Sequence, residues 1–478
     1  MVRGCRAAIW ALMLVILATF AQTALAAKGT GGSDETEWWN TPPAYTEAQA
    51  KAYVKEMLPL VEQAAGRKFK ITPVVKVVTP DDLYPIMRKE VTPRIQRMFP
   101  TLSKDQARSM ADSMASLYSE CCLGKYGTIT ERLYLLPRNV RPILRLCEAS
   151  QKYEQQIVKL VVAHELAHAL QDQYIGITRQ ENSLDTVEKQ LAYTSTIEGF
   201  GMFVENSVAD TLKMDAAAKQ LALLISTGSY KGMDPVDKVS AQQVMGAVSD
   251  MYLRGQDFVS WHFGKGGLDQ VWSVLAHPPI YTSMIYHPEA YRADAKPKQD
   301  YAPALKELEK MISKRKWTTV TQALGEMELR AYNAGMDAGD MDALIGGTEQ
   351  IYETRATADG VSLHIDLMML KEKSSAPTII SAAENLARAD VAKMSESKKY
   401  KFTPCAPADF NAMKGKADVA RRFSYAVSIG DSSYSCTYVS IARGRIVMEI
   451  YTGGFTVPDS RIAAVFEELW KRLPAEVR

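Results

Sequence analysis

The chain has 478 residues, 47% hydrophobic and 23% charged, which is enough to bury a core in about two domains and excludes a disordered chain. Lys and Arg number 57 against 55 for Asp and Glu, and two of those cations, Arg3 and Arg6, fall in an N-terminal leader. The remainder is balanced and carries no charge signature of a nucleic-acid partner.

Residues 1–26 join Arg3 and Arg6 to an apolar run over 7–20 and then to Ala24-Leu25-Ala26, the pattern of a signal peptide cut near Ala26. Thr19, Gln22 and Thr23 argue against an uncleaved anchor, so the expectation is export to the periplasm or beyond, with no membrane attachment in the mature form. Export permits disulfides. Cys5 leaves with the leader, and Cys121, Cys122, Cys147, Cys405 and Cys436 make an odd set with one thiol over. The expected pairs are Cys405 with Cys436, and Cys147 with Cys121 or Cys122. Residues 27–45 are polar, with Gly, Ser, Thr and Pro42-Pro43, and read as a flexible lead-in.

From Thr46 the pattern is ordered. Residues 46–65 and 80–98 read as helices flanking a strand over 69–78, and 124–137 reads as a second strand. A helix over 153–174 carries Ile157, Leu160, Val161, Ala167 and Leu170 at helical spacing, with Gly176 as its stop. A second, over 184–208, places Leu191, Ser195, Glu198, Met202 and Glu205 on one face. Further helices are expected over 216–224, 241–256 and 303–311. After about Gly347 the composition shifts, and 360–370 and 420–453 alternate Val, Ile, Tyr and Ser like strands. The fold class is therefore α+β: a mostly helical domain with a small N-terminal sheet over 46–345, then a smaller α/β domain over 346–478. The latter holds only His364 among histidines and reads as a packing or binding module.

The chemistry concentrates in His164-Glu165-Leu166-Ala167-His168. Two imidazoles four residues apart share one helix face, the spacing at which both reach a single zinc ion. Glu165 lies beside them but is displaced around the helix, so it can serve a water at the metal as general base without taking a ligand position. The competing reading is a pair of core histidines merely satisfied by neighbours. A catalytic zinc needs a third protein ligand, and Glu198, thirty residues after His168 and followed by Gly199, is the best candidate; Glu205, Glu188 and Asp185 are its rivals. Peptide hydrolysis also builds an oxyanion, for which His287, Tyr281 and Tyr286 compete as donors. His287-Pro288 could equally just fix a turn. Asp185 could hold the second ring nitrogen of a ligand histidine, or be a plain acid at a helix N-terminus.

The HELAH run followed on a later helix by Glu198-Gly199 resembles the gluzincin group of zinc metallopeptidases, to which thermolysin belongs. The longer stretch from His164 to Gln173, then Asp185, then Glu198-Gly199, is similar to exported bacterial neutral zinc metallopeptidases. Pro278-Pro279-Ile280-Tyr281-Thr282-Ser283 and His287-Pro288-Glu289-Ala290-Tyr291 look like the same family's downstream pattern, which Leu324-Gly325-Glu326 and Gly346-Gly347 echo. Phe200 departs from it, standing where the family has a small or acidic residue. The resemblance implies a zincin-like catalytic domain with one Zn2+ on His164, His168 and Glu198. It implies peptide or protein substrates, cleaved by a zinc-activated water with Glu165 as general base. It also implies an edge strand over 124–136 that faces substrate, with Tyr126 near the cleft. The alternatives are a zinc-stabilised binding or chaperone-like protein, whose closed site would take Glu205 or His287 as a fourth ligand, and a degenerate peptidase.

Overall fold

The computed structural model describes residues 42–226, 235–358, 360–398, 400–404, 407–429 and 432–478. The expected leader, most of the lead-in and Cys405 lie outside the described residues. Among those described, one compact unit holds 42–226 and 244–296, and another holds 235–243 and 297–478. The division falls at 296/297 and not at 345/346, because the strand Thr318–Leu324 pairs into the second unit's sheet.

In the first unit, helix α1 (Glu47–Ala65) starts at a capping box on Thr46 and stops at Gly66, whose φ of 65° suits glycine. Strand β1 (Val74–Val77) is shorter than expected and leads to α2 (Pro80–Met98), capped by Thr79, and then α3 (Lys104–Cys121), which sequence reading left out. The single strand expected over 124–137 is a hairpin: β2 (Gly124–Gly127) and β3 (Arg132–Leu135) join through a turn in which Glu131 takes a φ of 54°. The sheet order is β1-β3-β2, with β1 parallel and β2 antiparallel to β3, so β2 is an edge. Helix α4 (Pro137–Leu146) follows.

Helix α5 (Glu154–Ile175) ends at Gly176, as expected, and α6 (Val187–Leu212) starts at the cap Thr186. Leu160, Val162, Leu166 and Leu170 of α5 are buried in one core with Val54 and Met57 of α1 and Phe200 and Val204 of α6. A helix buried on nearly every side is rigid, which suits it to hold polar atoms in place. Helix α7 (Asp215–Ser226) precedes α8 (Pro235–Ala276), which is broken at Gly266 and Gly267 and belongs to this unit from Val244 on. Gly199 of α6 meets α8 with no room to spare, since a Cβ there would lie 2.1 Å from the Gly255 carbonyl carbon. No helix among the described residues is long and apolar enough to cross a membrane.

Cys121 and Cys122 at the end of α3 and Cys147 at the end of α4 are free thiols, so the expected bridge among them is absent. Partial burial pushes Cys147 up to about 11, which favours its protonated form. Cys436 receives a hydrogen bond from Tyr451 Oη at 3.4 Å, and its expected partner Cys405 lies outside the described residues.

The second unit is built on an eight-stranded sheet of β4 (Thr318–Leu324), β5 (Thr348–Ala358), β6 (Val361–Leu370), β7 (Lys401–Pro404), β8 (Ala408–Asp409), β9 (Val419–Ile429), β10 (Ser432–Arg443) and β11 (Ile446–Gly453). Its order is β4-β5-β6-β11-β10-β9-β7, with β8 beside β9, and every pairing is antiparallel, so this unit is α+β where an α/β domain was expected. The helix expected over 303–311 is two short turns, Ala302–Leu305 and Leu308–Ile312, parted by Glu307 at a φ of 63°. Two shorter helices, Glu326–Tyr332 and Ala338–Gly347, and the longer helices α9 (Ala376–Met394) and α10 (Asp459–Arg472) also belong to the unit. Ile462, Val465, Phe466 and Leu469 of α10 recur at helical spacing and are buried in one core with Ile365, Leu367, Ile441, Met448 and Ile450, at roughly 1.5–3 kcal/mol per side chain.

Candidate metal centre

His164 and His168 lie one turn apart on α5, both buried, and α6 brings Glu198 to them. His164 Nε2 stands 3.2 Å from Glu198 Oε2, His168 Nε2 stands 3.3 Å from the same oxygen, and the two Nε2 atoms are 3.1 Å apart. Ligand atoms about 2.0–2.1 Å from a tetrahedral ion sit roughly 3.3 Å from one another, so the three edges fit, and this group could hold a metal ion. Glu205, Glu188, Asp185 and His287 do not join it.

The opposite ring nitrogens are spoken for. His164 Nδ1 is 3.1 Å from Glu205 Oε2, and His168 Nδ1 is 2.8 Å from Gln171 Oε1, whose amide donates in turn to the Ile197 carbonyl at 3.2 Å. Glu205 and Gln171 thus hold the tautomer that leaves Nε2 as the lone-pair side, the part expected of Asp185. Asp185 instead lies exposed before α6 and pairs with Lys189 at 2.7 Å. Gly201 gives the His164 ring its seat, since a Cβ there would stand 2.7–3.0 Å from three ring atoms. Without a cation between them, burial alone would depress His164, but Glu198 and Glu205 outweigh it and push it up to about 10, so a metal that binds there displaces the Nε2 proton. Burial would raise Glu198, and the two imidazoles overcome that and hold it well below the usual carboxylate range.

Glu165 faces the sheet edge. The Tyr126 backbone N–H donates to its Oε2 at 2.5 Å, and Oε1 has no hydrogen-bond partner among the described residues. Gly124 permits the approach, because a Cβ there would reach Val161 at 2.9 Å and the Glu165 Cγ at 3.1 Å. The Tyr126 side chain is buried and runs along α5 to donate to Asp172 Oδ2 at 3.0 Å, one turn past His168.

Of the residues proposed as donors to an oxyanion, Tyr286 donates to Asp250 at 2.6 Å and Tyr281 to the Lys296 carbonyl at 3.4 Å. His287 caps a short helix, half exposed, 3.9 Å from Glu289. Glu188 accepts from Thr282 N at 2.6 Å and fastens that turn. The aromatic side chain at the centre is Tyr252 of α8. Its ring lies 6.1 Å from the His164 ring, beside the Glu198 carboxylate. Burial, then Glu198, raises its pKa well above the usual phenol value, so it stays a donor. Spacing alone could have found Gln171, three residues after His168, and Glu205, two turns after Glu198. Nothing local marks Tyr252 or Gly201.

No family model matches this chain. No curated protein matches it either. Among solved structures, the chain is similar to the crystal structure of a candidate hydrolase with a novel fold from Chloroflexus aurantiacus. The two are 16% identical, over 56% of this chain and 94% of that one, with a TM-score of 0.38, too slight a likeness to carry an argument.

Proposed function

We propose that the chain is an exported zinc metallopeptidase with a zincin-like catalytic unit, in which His164, His168 and Glu198 hold one Zn2+. The observation that supports it most is the convergence of two Nε2 atoms and one carboxylate oxygen at mutual distances of 3.1–3.3 Å, with both Nδ1 atoms engaged elsewhere. A zinc ion bound there supplies Lewis-acid polarisation of a scissile carbonyl and acidifies a water.

The chain's own residues do the rest. Glu165 accepts the proton of the attacking water at Oε1, the oxygen not engaged by Tyr126, and passes it to the leaving amine. Tyr252, in place of His287, Tyr281 or Tyr286, donates to the oxyanion. The outer edge of β2 pairs with no other strand of the sheet, which suits it to an extended peptide strand. The rival reading, a closed structural site, calls on Glu205 or His287 as fourth ligand. Glu205 is occupied at His164 Nδ1, and this favours the open, catalytic site.

The test compares mature wild type with Glu165→Gln for zinc content and peptide hydrolysis. The expected result is about one zinc in each, with activity lower by roughly 10²–10⁴-fold in the variant. Zinc in both and cleavage by neither would favour the structural or degenerate reading. Zinc in neither would remove the metal centre itself.

A further inference from the structure

Beside the end of α5, the first unit carries an open groove of about 820 Å³, within the size range of ligand sites. Its floor is Tyr126 and Asp172, the pair that continues from Glu165 along α5. Ile71 and Val74 line one side, and they are 70% and 55% exposed. That exposure is built in. Gln173 of α5 clamps the segment, its Oε1 accepting from Lys70 N at 2.8 Å and Ile71 N at 3.3 Å, and its Nε2 donating to the Ile71 carbonyl at 2.7 Å.

Lys70, Arg132 and Arg179 also line the groove, and none of them forms an ion pair among the described residues. Lys70 Nζ donates to the Gln173 carbonyl at 2.5 Å and Arg179 to the Ile175 carbonyl at 3.2 Å, so dipoles hold these cations and no carboxylate neutralises them. The lining acids are Glu131 and Asp172. Asp172 is engaged at both oxygens, by Tyr126 Oη and Ile177 N, so three cations face two acids, one of which is already bonded. The groove is left with an excess of positive charge next to exposed apolar side chains.

We propose that this groove selects the substrate: it takes an acidic segment of a peptide that lies along β2, with Asp or Glu side chains on Arg132, Arg179 and Lys70 and an apolar neighbour on Ile71 and Val74. The proposal rests on the metallopeptidase reading and deepens it. Because Tyr126 belongs both to the groove and to the strand that holds Glu165, a side chain seated there fixes which bond reaches the centre.

The test is binding, kept separate from turnover. Two dye-labelled ten-residue peptides, identical except for an Asp-Glu or a Lys-Lys pair beside a leucine, are titrated by fluorescence anisotropy into the full mature chain carrying Glu165→Gln. The acidic peptide should bind about tenfold more tightly at low salt, an advantage that shrinks at roughly 1 M salt. Adding Arg132→Ala and Arg179→Ala should weaken the acidic peptide by about five- to tenfold, and Arg179→Glu should erase or invert the preference, with zinc content and Tm showing that each variant is folded. Equal binding of the two peptides, or acidic binding untouched by the double variant, overturns the proposal. Wild-type cleavage of both peptides alike would sink it while sparing the peptidase reading. Acidic binding without any cleavage would do the reverse.

Discussion

Two regions of this molecule bury ionisable side chains, and they do so differently. Across the second unit's sheet, on the face opposite α10, Glu353, Asp366 and Glu449 stand in register on β5, β6 and β11, with Arg355 and His364 in the next row. There the charges turn toward one another. Arg355 pairs with Glu353 through both Nε and Nη2, and Glu449 accepts from Tyr438 and from Ser440, the latter at 3.2 Å. Between α5 and α6 the partners bind the outer nitrogens of the two imidazoles, and the inner atoms converge on one point. Buried polarity by itself therefore says little about function. What distinguishes a site is lone pairs that converge where no protein donor fills the centre.

The largest effect should come from breaking the self-paired region. Arg355→Ala leaves the Glu353 carboxylate buried, and the expected loss is about 3–5 kcal/mol in denaturant unfolding. Replacing both residues by leucine should recover most of that loss, because a buried pair is worth little against apolar packing. Zinc content should not change in either variant. A double variant as unstable as the single one would mean that the pair does more than neutralise itself.

His262 sharpens the comparison, because it is a buried histidine with no carboxylate beside it. It is 3% exposed among the rings of Phe258, Trp261 and Tyr291, its Nε2 lacks a partner, and burial lowers its pKa to about 4. His164, also buried but with two carboxylates, moves the other way, to about 10. Above pH ~6.5 His262 is neutral whether the chain is folded or not. Below that the unfolded chain takes a proton that the folded one refuses, so stability falls from there down to about pH 4, by at most about 3 kcal/mol. In metal-free protein, His262→Phe should flatten that part of the pH–stability curve. A variant curve that still falls as steeply would show that other groups dominate.

Much of the candidate centre was legible, because the information is local. His164 and His168 are one turn apart in one helix, and Glu198 is marked by Gly199, which does meet the Gly255 backbone. What sequence missed depends on tertiary placement. Tyr252 comes from α8, some fifty residues beyond Glu198, and Gly201 matters only because the His164 ring packs on it. Asp185 misled because an acid before a helix reads alike whether it turns inward or, as here, pairs with Lys189 at the next turn. The strand expected over 124–137 failed at Glu131, where a non-glycine residue takes the positive φ of a hairpin turn. In the second unit, alternation marked the strands over 360–370 and 420–453, but their antiparallel order and the ionic face depend on pairings as distant as Ser362 with Gly453.

The smallest effect separates Glu205 from Asp185 as the residue that orients a ligand ring. Glu205→Gln keeps a hydrogen bond to His164 Nδ1 but loses the charge that helps fix its tautomer, so zinc affinity measured by competition with a chelator should fall by about 10–100-fold. Asp185→Asn should leave it where it was, since that carboxylate is 69% exposed and paired with Lys189. If Glu205 were itself a ligand, its loss would cost far more and the Glu205→Gln protein would be isolated without metal; the closed, structural site would then be the better account. A modest loss, with peptide hydrolysis retained at saturating zinc, keeps Glu205 behind the imidazole and leaves the fourth position to substrate and water.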